Sequence, residues 1–208
     1  MSRMPEPEVL IIDDDPSLRM SLQRLLKTMG FRTRTFPSAR DFLRADFPPG
    51  SIGCLVLDVK MPGMSGIDLQ EELKQRDPPI PIVFITGHGT VPMSVQAMKH
   101  GAVDFLEKPF DDHDLLRAIS RAMEKGKQAI ADRLEMKELE ERYRLLTPRE
   151  REVLAHVVSG MLNKQIASEL GTSEKTIKVH RARVMEKMQA RSLADLVRMA
   201  AKLSVTLS

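Results

Sequence analysis

The chain has 208 residues, which favours two small domains over one, and 42% of these residues are hydrophobic while 29% are charged. No apolar run approaches the roughly 20 residues that span a bilayer, and residues 1–6 lack the apolar stretch of a signal peptide. We therefore expect no membrane partner. The single cysteine, Cys54, cannot form a disulfide within the chain, so a reducing cytoplasm is the expected location.

The net charge of +3 is unevenly distributed along the chain. From Thr147 onward there are 11 basic and 6 acidic residues, a net charge of +5, which leaves −2 for residues 1–146. A basic C-terminal part is typical of proteins that contact nucleic acid, and the mildly acidic N-terminal part indicates a different partner.

Residues 8–125 alternate between short apolar runs and amphipathic stretches. The apolar runs predict five strands, at 9–12, 31–36, 54–57, 81–85 and 102–106. The stretches between and after them predict five helices, at 16–29, 38–45, 67–75, 91–99 and 112–125. Strands that are apolar on both faces and separated by helices predict an α/β doubly wound, five-stranded parallel sheet covered on both sides.

Residues 126–146 are rich in Glu, Lys and Arg and contain no proline, which predicts a helical linker. Met136, Leu139, Tyr143 and Leu146 follow the 3-4-3 spacing of a coiled-coil seam. An amphipathic helix that lies on its own domain explains the same spacing, and the sequence does not decide between the two.

Residues 147–208 show helical periodicity throughout. A capping Thr147, Pro148 at the first helical position and Glu150 mark a helix start. Helices are predicted at 148–158, 163–170, 174–188 and 192–203. Because the middle two are joined by a short turn that contains glycine, they predict an all-α helix-turn-helix domain; a plain four-helix bundle with a solvated basic face is the alternative.

Carboxylates follow two of the buried strands. Asp13 and Asp14 come after the first strand and Asp58 after the third. In a doubly wound sheet of order 2-1-3-4-5 these strands are neighbours, and ligands bind beyond their carboxyl ends. Carboxylates that converge raise one another's pKa unless a cation joins them, and an open site of hard oxygen ligands favours Mg²⁺.

Thr86 and Lys108 end the fourth and fifth strands. A carboxylate nucleophile, a metal, a hydroxyl and a lysine together can form an acyl phosphate, with the metal and the lysine neutralising charge on the transferred group. Each residue alone has an ordinary structural explanation, but their order and shared position at strand ends favour one site.

Residues 8–125 resemble the receiver domain of two-component response regulators, which has a flavodoxin-like fold. The blocks that carry the resemblance are IIDDD at 11–15, LDVKMPGMSG at 57–66, ITG at 85–87 and FLEKPF at 105–110. The resemblance implies that Asp58 accepts a phosphoryl group from a phosphohistidine on a sensor histidine kinase. It also implies that Mg²⁺ (or Mn²⁺) is held by Asp13, Asp14, Asp58 and the main-chain carbonyl of Lys60.

The same resemblance implies that the Thr86 hydroxyl hydrogen-bonds a phosphoryl oxygen and that Lys108 pairs with the phosphoryl group. Phe105 matches the aromatic switch position, and the Lys108–Pro109 peptide matches a bond that is usually cis in the family. Lys60 and His88 match positions that tune the phosphoryl lifetime. We hypothesise that they do so here, although solvated rim residues are the alternative.

The C-terminal part resembles the LuxR/FixJ-type DNA-binding domain along its whole length. The carrying blocks are LTPREREVL at 146–154, Gly160, NKQIA at 163–167 and TIKVH at 176–180. Ile177, Val184 and Met188 are expected on the core face of the second helix. The residues expected to contact DNA are Lys175, Thr176, Lys178, Val179, Arg181, Ala182 and Arg183, with Lys187 as a further phosphate contact. Ala182 stands where some relatives carry a basic reader, so the bases that are read stay open.

Together the two resemblances imply a FixJ/NarL-like response regulator with a receiver domain at 1–125, a helical linker at 126–146 and a DNA-binding domain at 147–208. Phosphorylation of Asp58 is expected to favour a homodimer that binds operator DNA and works with RNA polymerase. Such a protein catalyses only its own phosphoryl uptake and loss. An aspartate-nucleophile phosphatase would carry a second Asp where this chain has Lys60, and a receiver-like dimerisation module would not need the acidic residues.

Overall fold

The computed structural model describes residues 7–48, 51–75, 79–87 and 90–205. The chain divides into two compact units, Met1–Ala131 and Asp132–Ser208. The second unit thus begins inside the stretch expected as a linker. Within the described residues, no helix is long and apolar enough to cross a membrane.

The first unit is built on a five-stranded parallel sheet of order β2-β1-β3-β4-β5, which confirms the expected topology. The strands are β1 Glu8–Ile12, β2 Thr33–Phe36, β3 Ile52–Asp58, β4 Ile82–Thr86 and β5 Asp104–Glu107. In register, Ile12 pairs with Leu57 and Asp58 with Ile85. The carboxyl ends of β1, β3 and β4 therefore meet at one edge of the sheet.

Five helices cover the two faces of this sheet. They are α1 Pro16–Thr28, α2 Ala39–Arg44, α3 Gly66–Leu73, α4 Val91–Lys99 and α5 Asp112–Arg144. On one face Phe42, Leu69 and Ala97 bring α2, α3 and α4 into a buried cluster. On the other face Leu26 and Ile119 bring in α1 and α5. Both sides of the strands are thus buried, as their continuous apolar sequence requires.

The first helix begins where the sequence indicates. The Asp15 carboxylate accepts hydrogen bonds from the backbone N–H groups of Ser17 and Leu18, and Pro16 occupies the first turn. After the helix, Gly30 adopts a φ of +86°, a left-handed conformation that favours glycine.

Helix α5 is a single helix of 33 residues, so the helix predicted at 112–125 and the helical linker are continuous. Gly126 does not interrupt it. A Cβ at Gly126 would collide with the main-chain oxygen of Gly53, so the glycine lets α5 pack closely against β3 and Pro81. The sequence alone does not reveal this close approach.

The second unit is entirely helical. After the C-terminal part of α5 come α6 Pro148–Val158, α7 Asn163–Glu169, α8 Glu174–Met188 and α9 Leu193–Lys202. Leu139 and Leu146 are only 4% and 3% exposed, because they lie in this unit's hydrophobic core, with Tyr143 packed against it. The apolar spacing along residues 136–146 thus corresponds to a helix that packs against its own unit.

Candidate functional site

Two buried carboxylates share one lysine at the carboxyl edge of the sheet. Asp13 follows β1, Asp58 ends β3, and both are almost completely buried. Lys108 directly follows β5, and its Nζ donates to Asp13 Oδ2 at 2.8 Å and to Asp58 Oδ1 at 2.9 Å. The structure therefore brings together three of the predicted site residues from three different strands.

The other oxygens of this pair are held by the backbone. Asp13 Oδ1 accepts from the Asp15 N–H at 2.8 Å, and Asp58 Oδ2 accepts from the Lys60 N–H at 3.0 Å. Arg19 Nη1 donates to the main-chain oxygen of Asp13 at 2.6 Å. The bonds to the carboxylate oxygens fix the orientation of both side chains. The bond from Arg19 places this residue beside the site, although the sequence analysis assigned it no role.

Burial and the neighbouring charges shift the pKa of Asp58, and that of Lys108, in opposite directions. Burial raises the pKa of Asp58, and the hydrogen bond and positive charge of Lys108 reduce this effect without cancelling it, so the pKa lies above the ordinary value. Burial lowers the pKa of Lys108, but the bonds to Asp13 and Asp58 outweigh it and the net pKa is raised. The lysine therefore stays charged, and two carboxylates face one cation.

Asp14 is exposed, and no group of three or more His, Cys, Asp or Glu side chains in the described residues is arranged to hold a metal. The three carboxylates of the described residues therefore do not form a ready-made metal cluster, and the Lys108 ammonium contacts two of them, Asp13 and Asp58. The donor set still fits a hard cation, since carboxylate and carbonyl oxygens are the ligands that Mg²⁺ prefers and the pair has one negative charge in excess.

The remaining predicted residues of the site lie on β4 and β5. Thr86 is fully buried at the end of β4. Phe105 on β5 is half-buried, with its ring centroid 6.2 Å from that of Phe84. The Lys108–Pro109 peptide is cis, as expected. His88 lies outside the described residues.

Gly66 is a further residue of the site to which the sequence assigned no separate role. Its N–H donates to the main-chain oxygen of Val59 at 2.9 Å. A Cβ at this position would collide with the main-chain oxygen of Asp58. The start of α3 therefore touches the backbone of Asp58 directly, and only glycine allows that approach.

Helix α8 of the second unit has one buried and one exposed face. Ile177, Val184 and Met188 are at most 1% exposed, which confirms the expected core face. The exposed residues among those expected to contact DNA are Lys175, Thr176, Lys178, Val179, Ala182 and Arg183. Apart from Val179 and Ala182 this face is polar or basic, so it is suited to a polyanion.

Two basic residues of α8 that are expected to contact phosphates also bond to neighbouring helices and to the loop before α6. Arg181 Nη1 donates to Asn163 Oδ1 at 3.1 Å and so joins α8 to α7. Lys187 Nζ donates to the buried Glu150 Oε2 at 2.6 Å and to the Leu145 oxygen at 3.1 Å. The sequence did not predict these bonds because the partners lie 18 to 42 positions away.

Glu150 also closes the capping box of α6 by accepting from the Thr147 N–H at 2.8 Å. Burial raises the pKa of Glu150, but the hydrogen bonds from Lys187 and Thr147 outweigh this effect and the pKa lies below the ordinary value. The carboxylate is therefore charged in the folded unit, where it links the first and third helices after α5.

One chain combines a receiver-like sheet, with two buried aspartates bonded to a lysine at its carboxyl edge, and a helix-turn-helix. This combination is typical of proteins that regulate transcription. The comparisons with known proteins agree. Residues 9–120 match the family model "Response regulator receiver domain", and residues 144–200 match "Bacterial regulatory proteins, luxR family". The chain belongs to the response regulator family: it has a receiver domain and a luxR-type DNA-binding domain, and it is a transcription factor rather than a classical enzyme.

Similar proteins extend over nearly the whole chain. "Nodulation protein W" of Bradyrhizobium diazoefficiens is 46% identical over 95% of this chain and 87% of its own length. "Transcriptional regulatory protein FixJ" of the same organism is 46% identical over 92% of this chain and 93% of its own. The solved structure of "Response Regulator StyR" is 47% identical, with a TM-score of 0.81 over 95% of this chain and 99% of that one.

Proposed function

We propose that Asp58 is the phosphoacceptor and that its partner is a sensor histidine kinase. The observation that carries the proposal is the Lys108 ammonium shared by Asp13 and Asp58. A carboxylate oxygen of Asp58 attacks the phosphorus of the kinase's phosphohistidine. The new P–O bond forms as the P–N bond breaks, and the electron pair leaves with the imidazole nitrogen.

The neighbouring residues stabilise the charge that arrives. Lys108 pairs with the phosphoryl group, and the Thr86 hydroxyl donates to one of its oxygens. The residues proposed to hold Mg²⁺ or Mn²⁺ are Asp13, Asp14, Asp58 and the Lys60 main-chain carbonyl. When bound, that ion neutralises charge on the transferred group.

Phosphorylation is proposed to act through Thr86 and Phe105. As Thr86 is drawn towards the phosphoryl group, the Phe105 ring follows it inward and the α4–β5 surface changes. Support for a dimer on this surface comes from α4, where Val91, Val95 and Met98 are 77%, 46% and 46% exposed. An apolar row of this kind is suited to burial against a second copy.

In such a dimer two copies of α8 enter the major groove of an operator with two-fold symmetry. Lys178, Val179 and Ala182 are the proposed base readers, with a thymine methyl group as the contact for Val179 or Ala182. The DNA backbone is contacted by the flanking residues Lys175, Thr176, Arg181 and Arg183. Arg181 also bonds to Asn163, which fixes α7 against α8. We propose RNA polymerase as a further partner and the cytoplasm as the location.

Sedimentation and DNA affinity with beryllofluoride, a phosphoryl mimic, test the coupling of the two units. The proposal predicts that the mimic doubles the mass of the full chain and tightens its binding to DNA. Asp58→Asn should show neither response. An unchanged mass and unchanged DNA affinity in the wild-type chain contradict the mechanism.

The phosphoryl lifetime is a separate expectation. Lys60 is exposed next to Asp58, where its cationic side chain can influence the water that attacks the acyl phosphate. Lys60→Ala is therefore expected to change the rate of dephosphorylation, measured as loss of label from the phosphorylated chain. An unchanged rate means that Lys60 is only a solvated rim residue.

A further inference from the structure

A histidine, a methionine and a glutamate meet between α6 and α7 of the second unit. His156 is on α6 and only 7% exposed, Met161 lies in the loop that follows, and Glu169 is the last residue of α7. The His156 Nδ1 lies 3.2 Å from Met161 Sδ and 3.8 Å from Glu169 Oε2. One ring nitrogen thus faces a thioether sulfur and a carboxylate oxygen from two further segments of the chain.

The turn after α6 explains why Met161 lies against His156. Gly160 has a φ of +89°, and the Met161 N–H donates to the main-chain oxygen of His156 at 3.2 Å. In this glycine-ended helix terminus, the residue after the glycine packs on the last turn, and the two contacting positions are commonly apolar. Here the same two positions carry an imidazole nitrogen and a thioether sulfur, which are both metal ligands.

The distances from His156 Nδ1 fit a shared ion. The 3.8 Å between Nδ1 and Glu169 Oε2 is too long for a hydrogen bond. Ligand atoms that each lie about 2.0–2.3 Å from one ion are roughly 3–4 Å apart, and both measured distances fall in this range. The Glu169 side chain is 54% exposed, so it gives an ion a route from solvent to the buried nitrogen.

We propose that His156, Met161 and Glu169 bind one copper(I) ion. Imidazole and thioether groups are suited to copper, whereas Mg²⁺ and Ca²⁺ take oxygen ligands. The Glu169 carboxylate balances the single positive charge of the ion, which reduces the cost of placing that charge beside a buried side chain. The bound ion joins α6 to α7 and stabilises the second unit, and it does not involve Asp58.

Copper(I) binding to the full chain is measured without oxygen, with ascorbate as the reductant and bicinchoninate as a coloured competitor for the ion. We expect one copper(I) ion to bind per chain. NMR of methyl-labelled methionines should then show a saturable shift of the Met161 methyl group at one equivalent. Thermal unfolding followed by circular dichroism should move to a higher temperature, because the ion binds the folded unit.

Three variants assign the ligands. Met161→Leu removes the sulfur with little change in volume and should weaken copper(I) binding at least about tenfold. Glu169→Gln should weaken it roughly twofold to fivefold, because a half-exposed charge is removed. Met199→Leu is the matched control, since Met199 is a half-buried methionine of the same core that lies on α9, and it should leave the affinity unchanged.

Zinc(II) provides a test of the sulfur that does not rely on copper. Zinc is bound by imidazole and carboxylate groups but not typically by a thioether, so its affinity should be equal in the wild type and in Met161→Leu. Circular dichroism without metal shows whether each variant is folded. If Met161→Leu fails to fold, Glu169→Gln and the Met161 methyl shift in the wild type still decide.

Three outcomes overturn the proposal. Equal copper(I) affinity in the wild type and in Met161→Leu excludes the sulfur as a ligand. An equal loss in Met199→Leu means that methionines of this core bind copper without a defined site. An unchanged affinity in Glu169→Gln removes the carboxylate from the set. In each case the contact between Met161 and His156 is an ordinary packing contact at the end of a helix.

Discussion

Removal of the Leu139 side chain tests whether the end of α5 is part of the DNA-binding unit. Leu139 is 4% exposed and packs in the same core as Val153 and Ile177. Truncation of a buried leucine to alanine typically costs about 2–5 kcal/mol through lost burial and the cavity that remains. For a unit of this size, a loss of 2 kcal/mol lowers the melting temperature by roughly 8 °C or more.

Tyr143 makes this measurement specific to the second unit. The chain has one tyrosine and no tryptophan, so its tyrosine fluorescence comes from Tyr143 alone. That ring packs against the core of the second unit and lies under the Arg151 guanidinium, 5.1 Å from the ring centroid. Thermal and urea unfolding of the full chain, followed by this fluorescence, therefore report the stability of residues 132–208.

Leu134→Ala is the matched control, because Leu134 lies on the same helix but is 48% exposed. Surface substitutions of this kind usually change the free energy of unfolding by no more than about 0.5 kcal/mol. If Leu139→Ala is no more damaging than Leu134→Ala, the end of α5 is a free linker and the packing described above is wrong.

Three further predictions concern the receiver edge and the capping box. Lys108→Ala should lower the receiver's free energy of unfolding by at least about 1 kcal/mol in urea titrations followed by circular dichroism, because two buried carboxylates lose their cation; equal stability would contradict this. Gly66→Ala should destabilise the receiver strongly in the same assay, because its Cβ collides with the Asp58 backbone, whereas Gly87→Ala meets no atom within 4 Å and should be tolerated. The pKa of Glu150 is lower in the folded unit than in the unfolded chain, so its stabilisation is present above pH 4.5 and is lost as the pH falls through the folded pKa. Urea midpoints from tyrosine fluorescence should therefore fall with pH over this range in the wild type and less steeply in Glu150→Gln.

Elements that depend on local signals were predictable from the sequence. The Asp15 cap, the Thr147 capping box and the continuous apolar strands each depend on residues a few positions apart, and the structure contains all of them. The sheet order followed from the doubly wound topology, which in turn placed Asp13 and Asp58 at one edge.

Features that depend on distant contacts were not predictable in the same way. The two bonds from Lys108 join it to residues 95 and 50 positions away in the sequence. Gly66 and Gly126 look like ordinary helix residues in the sequence, yet each permits a backbone approach that a Cβ would block. Spacing along one helix likewise could not show whether Leu139 faces a second copy or its own domain.

The most direct test of the central claim is acyl-phosphate labelling of the full chain by a small-molecule phosphoryl donor with Mg²⁺, followed by intact-mass measurement. Phosphorylation at Asp58 predicts a single added phosphoryl group that is labile to hydroxylamine and is absent in Asp58→Asn. Retention of that label in Asp58→Asn, or no label on the wild-type chain, contradicts the assignment of the phosphoacceptor.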